Sequence, residues 1–359
     1  MFPFVHAAEE KMLEASGENK EYLPIEGDQA FVEKALKFAY GADAPLDRIA
    51  GVQTLSGTGA CRIGGEFLAT FYPGKSIFLP VPTWGNHHKI FAEAGLDVQT
   101  YRYYDRSTNR LDLEGMIADL EDAPDGSILL LHACAHNPTG CDPTDKQWGL
   151  LMDIIKKKGH LVFFDSAYQG FASGDAEADA KALRTVVNEG LPVLLAQSFA
   201  KNFGLYGERC GTLSVVCKDA MQKEVLMSQL RCIIRPMYSS PPKHGSSIVR
   251  TVLSDDGLTD QYYKECAHMA ERILSMRTRL VEALKEAGST HDWSHVTEQI
   301  GMFAFTGMSA EMCDQLTNEY AIYLTRDGRI SIAGLNDVNL EYVANAIHAL
   351  TDGKSITSV

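Results

Sequence analysis

No apolar stretch of this 359-residue sequence approaches the roughly 20 residues that a helix needs to span a bilayer. Paired CxxC spacings are missing too. The eight cysteines (Cys61, Cys134, Cys141, Cys210, Cys217, Cys232, Cys266 and Cys313) are scattered irregularly, which excludes zinc-ribbon ligand sets and small disulfide frameworks. They read as free thiols in a reducing compartment, and no metal is expected. Positive charge is scarce: 33 Lys and Arg stand against 47 Asp and Glu, a formal net charge of −14. That balance argues against nucleic acid and anionic membrane as partners, but a local pair of arginines can still bind acidic small molecules. The start, Met1–Phe2–Pro3–Phe4–Val5, has no basic segment and soon turns acidic at Glu9 and Glu10, so no signal or transit peptide is expected and the location is read as cytoplasmic. Internal repeats and low-complexity tracts are absent as well.

What remains is a globular composition, 45% hydrophobic and 22% charged, in a chain long enough for two cores. Six short apolar runs, Ile77–Leu79, Val98–Tyr103, Ile128–Ala133, Leu161–Phe164, Val193–Ala196 and Thr212–Cys217, alternate with amphipathic stretches such as Pro143–Lys158. Continuous rather than alternating apolar strands indicate a sheet covered on both faces. The expectation is a three-layer α/β sandwich with a mostly parallel central sheet, residues 1–265, followed by a smaller α+β domain, residues 266–359. A long helix from about Leu258 to Ala287 bridges the two. The second unit is expected to hold strands at Gly301–Thr306, Ile322–Thr325 and Ile330–Ala333, and helices near Glu311–Glu319 and Leu340–Leu350.

The most informative segment is Ser198–Phe199–Ala200–Lys201–Asn202–Phe203–Gly204, with Arg209 five residues on. A lysine just past a buried strand, among phenylalanines and glycines, is poorly solvated as an ammonium; a neutral amine attacks carbonyl carbon. Ser198 and Arg209 supply the hydroxyl and cation that a phosphate requires, so the segment suits an aldehyde cofactor carrying a phosphate. A solvated loop lysine and a surface arginine are the alternative. Asp165, after four apolar residues, needs a cationic partner such as a protonated ring nitrogen, unless it is a helix cap. Asn137, before Pro138, either aims its amide into a cleft or makes an ordinary turn. Ser56–Gly57–Thr58 opens a helix and can present N–H and O–H groups to a phosphate, although turns use the same residues. Trp84 suits stacking on a planar ring or burial in the core, and His87 and His132 either orient Asp165 from behind or are structural. Arg235 and Arg329 read singly as surface charges and jointly as a fork for a dicarboxylate.

In order, Ser56–Gly57–Thr58, Trp84, Asn137–Pro138–Thr139–Gly140, Asp165–Ser166–Ala167–Tyr168, Ser198–Phe199–Ala200–Lys201 and Arg209 resemble the aspartate aminotransferase family of fold type I pyridoxal-phosphate enzymes, from about Glu21 to the C-terminus. The resemblance implies that Lys201 holds pyridoxal 5'-phosphate as a Schiff base and later shuttles the proton. It implies that Asp165 partners the pyridine nitrogen, Asn137 and Tyr168 the ring hydroxyl, and that Trp84 stacks on the ring. Ser56, Gly57, Thr58, Ser198 and Arg209 match the phosphate cradle, with Tyr22 reaching the neighbouring subunit's phosphate. Arg329 is similar to the arginine for the substrate α-carboxylate, and Arg235 to the one donated across a homodimer to the distal carboxylate; Trp84 and Asn137 also face the substrate.

The implied activity is ping-pong exchange of an amino group between L-aspartate and 2-oxoglutarate. An aromatic aminotransferase of the same family is the alternative. Chains of that family carry an arm and lid segment ahead of the first helix, and this sequence starts at about that helix. The corresponding expectation is a weaker dimer and incomplete closure over an intact cofactor site, with a cofactor-binding subunit of reduced catalysis as its extreme form.

Overall fold

In a computed structural model that describes residues 2–15 and 19–352, eleven strands and fourteen α-helices are formed among the described residues. Met1 and the end of the expected second domain, residues 353–359, lie outside them. The strands are β1 (Ile49–Leu55), β2 (Ser76–Val81), β3 (Asp97–Arg102), β4 (Tyr104–Asp105), β5 (Arg110–Leu111), β6 (Ile128–His132), β7 (Leu161–Ser166), β8 (Val193–Ser198), β9 (Cys210–Val216), β10 (Phe303–Phe305) and β11 (Arg329–Ser331). Seven of them form one sheet in the order β1-β9-β8-β7-β6-β2-β3. The β8-β7-β6-β2-β3 run is parallel, and β9 runs antiparallel to both β8 and β1. This is the mostly parallel, helix-covered sheet that the apolar runs imply.

Every residue of β6, β8 and β9 is buried, as expected for strands covered on both faces. Two departures from the expected elements have plain causes. β1 does not read as an apolar run because Gly51, Gln53 and Thr54 interrupt it. Its polar groups are nevertheless buried and partnered: Gln53 Oε1 accepts from Asp28 N at 3.0 Å and its Nε2 donates to Pro242 O at 2.7 Å. Gly51 is needed there, since a Cβ would stand 2.8 Å from Val32 Cγ1. Conversely, Ile322–Thr325 does not form a strand. Ala321 ends the preceding helix in the left-handed region, Ile322 N turns back to Leu316 O, and Thr325 N closes a turn on Arg329 O, leaving no partner strand.

The helix Asp145–Lys158 starts from a reciprocal Thr144/Gln147 capping box and stops at left-handed Gly159. The bridging helix runs unbroken from Asp256 to Glu286 under an Asp255 cap, passing straight through position 265. Its first half packs with the sheet-side core through Tyr262 and Cys266. Its second half, through Ile273, Met276 and Leu280, enters a separate core with Trp293, Leu316 and Ile347. Buried Arg277 pins this second core: its guanidinium donates to the carbonyls of Val296, Gly301 and Phe303, and burial draws its pKa down to about 10.

Candidate active site

The ends of β1, β2, β6, β7 and β8 and the start of β9 lie along one edge of the sheet, where ligands of open α/β sheets bind. There they enclose a cavity of about 190 Å³ lined by Ser56, Gly57, Thr58, Trp84, Asn137, Asp165, Tyr168, Ser198, Lys201 and Arg209, together with His132, Ala167, Ala200 and Tyr206. The local sequence dictates this convergence. β1 ends at Leu55 and the helix Ser56–Phe71 starts at once, with no side chain capping its first turn. Its N–H groups and dipole are thus left for an anion.

Ser56 and Arg209 both adopt positive φ, 60° and 51°, and Ser56 N donates to Arg209 O at 3.1 Å. Left-handed non-glycine residues of this kind cluster at functional sites, where packing holds them. Ser56 Oγ lies 2.9 Å from Ser198 Oγ, which also accepts from Ala200 N at 3.2 Å. The close approach of strands here depends on Gly211, where a Cβ would meet Gln197 O at 2.4 Å and Ser56 C at 2.7 Å, both backbone atoms. Gly211→Ala should destabilise the protein by on the order of 1–3 kcal/mol through overpacking, read as a lower Tm. It should also weaken anion binding, because the Ser56 backbone must yield along with that of Gln197; an unchanged Tm would show that the backbone gives way freely.

Asp165 is the fifth residue of β7, and one carboxylate oxygen is 3.1 Å from His87 Nε2. His87 Nδ1 lies 2.9 Å from Thr83 Oγ1, itself 3.3 Å from His132 Nε2. Burial alone would raise the Asp165 pKa. The hydrogen bond from His87, with the positive charge of Lys201, outweighs it and holds the carboxyl below its ordinary range. Burial drives His132 the other way, down to about 3, so it is neutral at physiological pH. Cys61 also stands close behind, its sulfur within 4.8 Å of the His87 and Asp165 donor atoms; burial raises that thiol well above its usual pKa and keeps it protonated.

Lys201 is half-buried, with Nζ 5.5 Å from the centre of the Tyr168 ring. Burial lowers its pKa, Asp165 opposes the shift and Arg209 adds to it, for a net depression. Tyr168 is buried, and Asn137 Nδ2 donates toward its hydroxyl at 3.5 Å. Asn137 Oδ1 accepts from Arg329 Nη1 at 2.9 Å, which brings Arg329, at the start of β11, to the rim of the cavity; its guanidinium also stacks 4.3 Å over Phe303. Two of the residues singled out in the sequence lie elsewhere on this single chain. Tyr22 is 90% exposed, and Arg235 is exposed with Nη1 bonded to Ser239 Oγ at 2.6 Å. Tyr206 was not legible as a lining residue: it follows Lys201 by five positions, and nothing in its neighbours marks it apart from the loop.

A family model described as aminotransferase class I and II matches residues 1–347. Aspartate aminotransferase 1 of Medicago sativa is 52% identical over 349 residues, 96% of this chain and 84% of that protein. Among solved structures, a mitochondrial aspartate aminotransferase from Trypanosoma brucei aligns with a TM-score of 0.94 at 45% identity, covering 98% of this chain and 92% of its own. An aromatic-amino-acid aminotransferase from Burkholderia pseudomallei, solved covalently bound to pyridoxal phosphate, aligns with a TM-score of 0.94 at 41% identity, covering 97% and 88%. With the family model spanning nearly the whole chain and half the residues shared end to end with a member, this chain belongs to the class I and II aminotransferases.

Proposed function

We propose that this protein is an aspartate aminotransferase, moving an amino group reversibly between L-aspartate and 2-oxoglutarate on pyridoxal 5'-phosphate. The family depends on that cofactor in general, and the residues present fit it. The cavity wall brings together an anion cradle of paired hydroxyls, an uncapped helix start and Arg209, a largely buried carboxylate and a half-buried amine. That convergence carries the reading. Ser56, Gly57, Thr58, Ser198 and Arg209 would hold the phosphate, Asp165 the ring nitrogen, Asn137 and Tyr168 the ring hydroxyl, and Trp84 the ring face. When bound, the cofactor supplies an aldehyde that carries the amino group and an electron-withdrawing ring that drains charge from the substrate α-carbon.

The chain's own groups do the rest. Arg329 takes the α-carboxylate beside Asn137. Lys201, depressed in pKa, gives and takes the proton of the α-carbon from within the cavity. Asp165 stays charged and keeps a proton on the group it faces. Purified protein loaded with cofactor should be yellow, and L-aspartate should bleach that band in one turnover; a band indifferent to L-aspartate would sink the proposal.

Tyr22 and Arg235 are read as acting across a C2 homodimer, since on one chain they stand in solvent away from the cavity. Arg235→Asp should depress turnover of aspartate and glutamate at least about tenfold more than turnover of uncharged amino acids, as expected for a lost carboxylate partner. Equal loss on all substrates would make Arg235 structural. Aromatic substrates are the second reading, favoured by the alignment with the Burkholderia protein, and the same substrate panel separates the two. The division proposed at residues 265/266 falls inside the bridging helix, and Cys266 just beyond it still packs with the sheet-side core. No helix among the described residues is long and apolar enough to cross a membrane. A cytoplasmic location suits the eight cysteines, all of them free.

A further inference from the structure

Asn137 reaches Arg329 only because the backbone between β6 and the following helix is bent back on itself. That loop holds its bend with a side chain that lies outside the cavity. The Asp142 carboxylate accepts from Ala135 N at 2.6 Å through one oxygen and from His136 N at 2.8 Å through the other. Ala135 has a φ of 48°, a conformation disfavoured for alanine and here held by that bond. Two further bonds close the loop: Gly140 N to His136 O at 2.6 Å, and Thr139 Oγ1 to His136 Nδ1 at 2.7 Å. The loop, whose Cys134 and Ala135 pack in the smaller core, also makes two hydrogen bonds to that unit. Gly140 O accepts from Ile300 N at 2.9 Å, and Asn137 Oδ1 accepts from Arg329 Nη1 at 2.9 Å.

Asp142 itself is half-buried at the wall of a second cavity, behind the strand ends, of about 420 Å³. Burial raises its pKa, against which the two backbone N–H groups act. A carboxylate placed where its partners are two amides of one loop has its energy tied to that loop's shape.

We propose that Asp142 is a positioning residue: by clamping Ala135 and His136 it aims the Asn137 amide at Arg329, and so sets the affinity of the site for the substrate carboxylate. The inference rests on Arg329 as the carboxylate-binding arginine. Asn137 is also read as a partner of the ring hydroxyl, but retention of the cofactor rests chiefly on the anion cradle, which is built on other strand ends, those of β1 and β8.

The test uses the enzyme loaded with cofactor. In Asp142→Ala the cofactor band should remain, while the Kd for succinate, a dicarboxylate without an amino group, and the KM for L-aspartate should both rise about tenfold or more, as misplaced binding groups cause. Asp142→Asn keeps one acceptor oxygen and should fall between; being isosteric, it also carries the test if the alanine variant does not fold. Because Asp142 acts through Asn137, adding Asp142→Ala to Asn137→Ala should raise the succinate Kd little further. A lowered Tm with unchanged succinate Kd and aspartate KM would overturn the inference and leave Asp142 a stability residue, as would full additivity with Asn137→Ala. Wild-type enzyme that takes up cofactor but binds no succinate and does not transaminate aspartate would instead overturn the reading of Arg329, and the inference with it.

Discussion

Lys201→Ala is expected to abolish transamination while leaving the fold in place. The loss should be several orders of magnitude, beyond the 10²–10⁴-fold that general acid–base catalysis typically supplies, because one amine serves both as attachment point and as proton carrier. The structure gives no reason for the variant to unfold. Lys201 makes its local bond through its backbone carbonyl, to Gly204 N at 3.1 Å, and alanine keeps that bond. What disappears is the half-buried amine beside the Tyr168 ring, whose pKa burial and Arg209 depress. The decisive measurement is borohydride reduction of the cofactor-loaded protein followed by peptide mass analysis. Wild type should carry the reduced adduct on the peptide containing Lys201 and the variant on none. A reducible adduct persisting in the variant would move the chemistry to another lysine.

Much of this site was legible because its parts sit at strand ends, and strand ends are where an apolar run stops at a polar residue. Asp165 directly follows such a run, and Ser198, Asn137 and Lys201 come within a few residues of one. The sheet was legible for the same reason. β1 was not, because its polar residues are buried by long-range partners, Asp28 and Pro242, that no local pattern reveals. β3 was only half legible: as an edge strand it buries Tyr101 and packs Val98 partly against the core, while Asp97, Gln99, Thr100 and Arg102 are exposed.

Contacts between distant segments were mostly hidden, although His87 was one candidate to orient Asp165 from behind. The bond from Arg329 to Asn137 spans 192 positions, and the one from His87 to Asp165 spans 78. Composition and spacing mark each residue as capable of such a contact, and only the fold brings the pairs together. Asp142 is the clearest case: its carboxylate acts on amides six and seven residues away, and in sequence it looks like the turn residue before a helix.

Asp165→Ala should slow transamination by about 10³-fold or more, on the scale of losses seen when a preorganised electrostatic partner is removed from a water-poor site. His132, its pKa held near 3 by burial, is neutral at working pH and contributes only hydrogen bonding through Thr83. The Asp165 carboxyl is held below its ordinary range, so it remains an anion wherever the protein is folded and active. A depressed carboxyl contributes stability above its unfolded pKa of about 3.9 and loses it as the pH falls below that value, so acid unfolding, not activity near neutrality, should report its protonation. A buried anion pointing into a cavity holds a proton on whatever cationic group it faces, and alanine removes that hold while leaving the phosphate cradle intact. Single-turnover rates with L-aspartate, followed by absorbance, separate the outcomes. Asp165→Ala and the isosteric Asp165→Asn should both retain cofactor and both lose the rate, since each removes the charge. Asp165→Glu keeps the charge and should lose less. A near-normal rate in Asp165→Asn would mean that the hydrogen bond from His87, rather than the negative charge, is what the reaction requires.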